Sequence, residues 1–298
     1  MTYVWLEPNF IPPLITYSIS FIVLLVGSIT DLRTREVPDW INYGLIMAGL
    51  WLNLLFSAVY SDPSYIINSI IGLAIFFGIA YIMFYAGQWG GGDSKMLMGI
   101  GAMIGIDVSF KAPQFLTAFF INALFAGAAY GLLWSLFLAY KNWKKFLREF
   151  RKSLSRKEAV MAKKAIALAL VLSVIILFFV EAYPIRLLIL LFMLMALLTM
   201  YLWSFARAVE KSSMYKLVEP SRLTEGDWIV RNVYFGKEYI CGPKDLGIEK
   251  RQIRRLAELY KKRKVSRILI KEGVPFVPSF LAAFIITWFF GSVVYWFI

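Results

Sequence analysis

Runs of roughly twenty apolar residues recur along this 298-residue chain. About 20 such residues wound as a helix cross the roughly 30 Å of hydrocarbon in a bilayer. In lipid every backbone polar group must be satisfied within the fold, which confines such runs to helices packed as a bundle. The sequence predicts eight spans, at about 14–30, 41–60, 65–87, a short Gly- and Met-rich 95–107, 115–139, 165–181, 185–205 and 276–298. The chain is 60% hydrophobic with a mean hydropathy of +0.67, above the 45–50% apolar content of soluble domains. The first run has no basic segment before it and no small-residue cleavage site, so it reads as a retained span.

The expected fold is an all-α polytopic membrane protein of about eight transmembrane helices with a small cytoplasmic α+β insertion. Residues 1–205 form the helical bundle, 206–275 the insertion and 276–298 the final span. Within the insertion, Pro220 and Gly226 mark turns, DWIVRNVYF reads as β, and EKRQIRRLAELYKKRKV reads as an amphipathic helix with Ile253, Leu256 and Tyr260 on one face. The basic stretch 141–164 reads as a helix-prone loop suited to an anionic membrane surface.

Charge orients the bundle. Threading the spans alternately puts all of the 32 Lys and Arg residues except Lys111 and Arg186 in or beside one set of loops. Positive charge is retained on the cytoplasmic side, which places both termini outside and those loops inside. The net charge of +13 therefore points to a membrane rather than to nucleic acid, with membrane lipids as partners.

The absence of histidine removes Ser-His-Asp and Cys-His nucleophiles and His-based zinc sites. A single cysteine, Cys241, removes internal disulfides and CxxC pairs. No metal or cofactor is expected. Carboxylates become the leading groups for acid–base work, and acids at the edge of a span are costly enough to indicate function. Two qualify: Asp31 in SITDLRTREVPDW and Asp93 in QWGGGDSKML. They are 62 residues apart, and the chain between them goes out through one span and returns through the next, which returns both carboxylates to the same depth. Two carboxylates in one low-dielectric site share a proton. The ionised one can activate water while the other polarises a carbonyl. Gly90, Gly91 and Gly92 before Asp93 would let backbone approach closely; a plain turn ending in a helix N-terminal Asp is the simpler reading of GGGD alone. The alternative function for such a pair is proton- or cation-coupled transport, and a non-catalytic scaffold is a third.

Gly90-Gly91-Gly92-Asp93 resembles the GxGD motif of membrane aspartyl proteases. The run from Asp31 to Pro38-Asp39 resembles the D-x6-P-D segment of type IV prepilin and archaeal preflagellin peptidases, and Gly273-Val-Pro275-Phe276-Val-Pro278-Ser-Phe280 is similar to the start of their last helix. The resemblance implies a membrane endopeptidase, with Asp31 and Asp93 catalytic, that removes the leader from pilin-like or archaellin precursors at the cytoplasmic face of the cell membrane. It implies active-site support from Gly90, Gly91, Gly92, Pro275, Phe276 and Pro278. The single cysteine and the lack of a cysteine-bearing N-terminal segment fit the archaeal, peptidase-only kind. Thr30 before Asp31, and Ser-Phe after Pro278, depart from the presenilin-like branch. Asp39 is the rival to Asp31, though its place after Pro38 also suits a helix N-cap. Glu36 and Asp39 are placed to meet a basic leader, or are solvated loop charges. Lys95 reads as a positive-inside anchor or a partner of the ionised pair, and Trp40 and Trp89 as members of an interfacial belt.

Overall fold

The computed structural model describes residues 11–107 and 114–296; Lys111, one of the two cations expected outside, lies outside them. The chain is mostly helical. The first helices are α1 (Ile11–Thr34), α2 (Asp39–Val59), α3 (Ser64–Tyr85), α4 (Gly91–Ile104) and α5 (Phe115–Lys141). Next come α6 (Trp143–Leu154), α7 (Lys157–Phe179) and α8 (Tyr183–Val209), which runs on through a π-helical turn at Glu210–Met214. A mixed segment follows, with β1 (Tyr215–Val218), β2 (Trp228–Ile229), β3 (Val233–Phe235), β4 (Glu238–Cys241), α9 (Lys250–Lys261) and β5 (Ile268–Lys271), and the last helix is α10 (Val277–Phe290).

Among the described residues six helices are long and apolar enough to cross a membrane: α1, α2, α3, α5, α7 and α8 with its π turn. The protein is a multi-pass membrane protein. The other two expected spans fall on α4 and α10, each of 14 residues. At 1.5 Å per residue such a helix reaches only about 21 Å, so each ends inside the bundle and its last carbonyls need partners there.

Two buried asparagines, with help from a serine, supply them. Asn53 of α2 donates through Nδ2 to the carbonyls of Ala102 and Met103 at 3.3 and 3.1 Å. Ser69 of α3 also donates to the Ala102 carbonyl. Asn122 of α5 donates to Thr287 Oγ1 at 2.9 Å and to the Gly291 carbonyl at 2.7 Å, while its Oδ1 accepts from Val293 N–H. Glycines let α4 sink between α2 and α3. A Cβ on Gly101 would stand 2.7 Å from the Gly72 carbonyl oxygen, and one on Gly99 2.8 Å from Leu45.

The chain divides into two compact units. The first comprises residues 1–132 and 273–298 and the second residues 133–272, with the division inside α5. The core of the first unit is drawn from α1 to α5 and α10, including Leu24, Leu45, Phe76, Met96, Ile100, Phe119 and Phe280.

The second unit holds two cores. In one, Phe146 of α6 packs with Ala139, Ala208 and Val209, with Phe150 and Phe205 against them. In the other, β5 lies between β1 and β2 in an antiparallel sheet, β3 pairs with β4, and Ile229, Cys241, Leu256, Leu259, Ile268 and Ile270 are buried together. The β-like run DWIVRNVYF is broken into β2 and β3. On α9 the buried residues are Leu256 and Leu259, so Leu259 takes the place expected of Tyr260. The apolar windows of α7 and α8 bury nothing within the protein, as suits helices facing lipid.

Candidate active site

Asp31 sits in the last turn of α1. Gly27, one turn earlier, is closely approached: a Cβ there would stand 2.7 Å from the terminal methyl of Met96 and 3.4 Å from Val277. This contact draws α1 against α4 and α10 together. Asp31 is 5% exposed, and its Oδ2 accepts a 3.0 Å hydrogen bond from the backbone N–H of Val277, the first residue of α10. Burial of a carboxylate without such a donor would be costly.

Asp93 sits in the first turn of α4, where its Oδ2 accepts a 3.0 Å hydrogen bond from Gly90 N–H. It thus satisfies one of the free amides at the helix start and lies in the favourable field of the N-terminus. The two carboxyl groups are within electrostatic range of one another. Two helices far apart in sequence therefore deliver their acids to one site, each held through one oxygen by a backbone amide.

The glycines play unequal parts. A Cβ on Gly91 would meet Phe84 at 3.9 Å and one on Gly92 would meet Val37 at 3.6 Å, which are ordinary contacts. One on Gly90 would come within 3.2 Å of Asp93 Oδ2. Only Gly90 is pinched, and by the carboxylate itself.

The Pro-Phe patch forms a wall beside Asp31. Pro275 is buried, and Pro278 stands in the first turn of α10, where its missing N–H costs nothing. The Phe276 ring packs 5.4 Å from Phe280 and 6.1 Å from Trp89, and a Cβ on Gly127 would touch it at 2.6 Å. The two tryptophans part company. Trp40 is 74% exposed and suits an interfacial belt, whereas Trp89 is 5% exposed and meets Phe280 edge-on at 5.5 Å.

The remaining acids lie on the surface. Glu36 is exposed. Asp39 is the first residue of α2, with Pro38 as its N-cap, and its Oδ1 takes Lys95 Nζ at 2.6 Å. Lys95 also stands 5.1 Å over the Tyr43 ring, so its charge is met by Asp39 and Tyr43.

Two residues beside Asp31 carry no signal in the sequence. Arg35 adopts a left-handed backbone (φ 62°) and donates through Nη1 to the Gly273 carbonyl at 2.6 Å. This latch ties the α1–α2 turn to the lead-in of α10. Tyr130 of α5 has a buried hydroxyl within electrostatic range of both Asp31 and Arg35. Arg35 is one of several charges in the D-x6-P-D run and Tyr130 one hydroxyl in an apolar helix, so neither stands out in the sequence.

The acid pair and the pinched glycine of this arrangement fall within a stretch that known proteins share. Residues 18–132 match the type IV leader peptidase family. The matched stretch carries both acids and ends where the first compact unit breaks off. The preflagellin peptidase of Methanocaldococcus jannaschii is 38% identical over 91 residues, which are 30% of this chain and 38% of that protein. That of Methanococcus maripaludis is 41% identical over 91 residues, 30% of this chain and 39% of its own length. The prepilin peptidase EppA of Methanothermobacter thermautotrophicus is 25% identical over 201 residues, 63% of this chain and 51% of that protein. The shared stretch is thus well under half the length of the two preflagellin peptidases. No solved structure matches the chain significantly. The matched stretch is completed in space by α10, which supplies the amide that holds Asp31.

Proposed function

We propose that this chain is an aspartyl endopeptidase of the membrane that removes the basic leader from pilin-like or archaellin precursors, with Asp31 and Asp93 as its catalytic pair. The observation that carries the reading is that these acids, from α1 and α4, lie within electrostatic range of one another in the stretch matching the leader peptidase family. In the reaction the ionised carboxylate takes a proton from water as its oxygen attacks the scissile carbonyl carbon. The protonated carboxyl donates to the carbonyl oxygen. The tetrahedral diol then collapses, the C–N bond breaks and the amine leaves with a proton from the pair. The pair titrates as a unit.

Eight spans, with α4 and α10 as the short ones, complete the proposed topology. Both termini are outside and the pair lies near the cytoplasmic face, where the basic loops gather. The apolar helix of the precursor lies among the spans, and its peptide bond just outside reaches the pair beside Phe276 and Trp89. Residues 206–275 act as a cytoplasmic α+β module between the bundle and its last helix.

The test is cleavage of pilin-like and archaellin precursors by the detergent-solubilised protein, with and without a metal chelator. A product lacking the leader, insensitive to the chelator and lost in Asp31→Asn and Asp93→Asn, is expected. Normal processing by either variant would remove the assignment, and ion flux in liposomes without cleavage would favour transport instead.

A further inference from the structure

The basic helix α6 invites a first expectation that it lies on the membrane through its apolar stripe. The structure spends that stripe elsewhere. Phe146 is buried, and its ring stacks on Phe150 at 5.5 Å and meets Phe205 of α8 edge-on at 5.4 Å. Apart from Trp143 at its start, which is exposed, the helix therefore offers mainly cations to its surroundings.

Four cations from three elements line one recess of the second unit: Lys152 of α6, Arg156 just ahead of α7, Arg207 at the end of α8 and Lys211 in the π turn. Ser153 and a single carboxylate, Glu149, complete the lining. Arg207 is steadied by the Trp203 ring, 4.6 Å from its guanidinium carbon, and by a 3.4 Å contact to the exposed Glu158. As the side chains stand, the recess has no room for a water-sized sphere, so an entering group must part the flexible Lys and Arg ends.

Its depth is fixed by the two helices that frame it. The recess lies ahead of the apolar length of α7 and just past that of α8, both long enough to span. That is the level at which lipid headgroups lie. Glu149 and the exposed Glu158 offset only part of the four positive charges converging there, and two guanidinium groups are suited to a phosphate's paired oxygens.

We infer that this recess binds the phosphate of an anionic phospholipid headgroup, clamped between Arg156 and Arg207 with Lys152 and Lys211 beside them. The site anchors the inserted unit at the membrane surface by a held lipid rather than by diffuse attraction. It does not depend on the peptidase reading.

The experiment is native mass spectrometry of the full chain in neutral detergent with phosphatidylglycerol or phosphatidylcholine added. Phosphatidylglycerol is expected to be retained over phosphatidylcholine. Arg156→Gln with Arg207→Gln should weaken that retention about tenfold, the loss of one to two charge-assisted hydrogen bonds. Lys144→Gln with Lys145→Gln removes the same charge from the exposed start of α6 and should change little. Equal loss in both double variants would show diffuse attraction and overturn the site. Displacement of the lipid by inorganic phosphate at matching concentration would overturn the lipid assignment. Should the arginine double variant not fold, Lys152→Gln and Lys211→Gln singly should each weaken retention, and unchanged binding in both would overturn the proposal.

Discussion

The backbone N–H of Val277 donates to Asp31 Oδ2 across 246 residues of sequence. This bond lets a structural role of the carboxylate be told apart from the catalytic role proposed for it. Asn at position 31 keeps an oxygen acceptor for Val277 and loses the acid. Leu loses both and leaves a buried amide unmet, at a cost of about 1–3 kcal/mol. Asp31→Asn is therefore expected to lose cleavage with little change in thermal stability, and Asp31→Leu to lose both. Equal melting temperatures for the two variants in detergent would show that the Val277 bond does not matter to the fold.

The glycines of the GGGD run give a graded prediction. A methyl at Gly90 presses on Asp93 Oδ2 at 3.2 Å, whereas one at Gly91 finds only ordinary contact at 3.9 Å. Small displacements of a catalytic group cost about tenfold or more in rate. Gly90→Ala should lower cleavage by about that factor with the protein still folded, and Gly91→Ala should stay near the wild type. Kinetics of the purified variants on one precursor check the order. Reversal would place the geometric need elsewhere in the run.

Much of this was legible in the chain itself. The apolar runs locate the long helices because a span must be continuous, and Asp31 and Asp93 stand out because acids at span edges are costly. The helix ends did not announce themselves. Asn53 and Asn122 look like stray polar residues until the ends of α4 and α10 are placed against them. The Arg35 latch to Gly273, which spans 238 residues, and the burial of Trp89 leave no periodic trace either. Such features depend on contacts distant in sequence, which hydropathy does not record.

Asn53 supports the end of α4 within the bundle. Asn53→Leu keeps the branched shape and leaves the Met103 carbonyl without this donor, while Ser69 still serves Ala102. A loss of about 1–3 kcal/mol in stability is expected, read as a lower unfolding midpoint. Ser69→Ala together with Asn53→Leu should cost more than either alone, since both serve the same helix end. Unchanged midpoints would mean that α4 is held by its glycine contacts alone.

Cys241 offers a probe of the mixed segment. Burial first, and the charge of Asp245 second, push its thiol up to about 11 from 9.0. The folded protein therefore holds this proton where the unfolded chain begins to release it. The corresponding stability is present below pH 9 and falls as pH rises from about 9 to about 11. At pH 8 the buried thiol is protonated and shielded, so alkylation should be slow in the native protein and fast in denaturant. With one cysteine in the chain, the mass shift reports this position alone. Rapid native alkylation would show that the core around Cys241 opens.

Asp39 tests whether proximity in sequence to Asp31 brings a share of the chemistry. Its side chain is 65% exposed and engaged by Lys95 at 2.6 Å, and such exposed pairs contribute only about 0–1 kcal/mol. Asp39→Asn removes the charge and keeps an oxygen for Lys95. If Asp39 serves the basic leader, the variant raises KM for precursors with basic leaders and leaves kcat near the wild type. A neutralised leader should then erase the difference between wild type and variant. A collapse of kcat on both precursors would move the catalytic assignment from Asp31 towards Asp39, and no change in either constant would leave Asp39 as a partner of Lys95 alone.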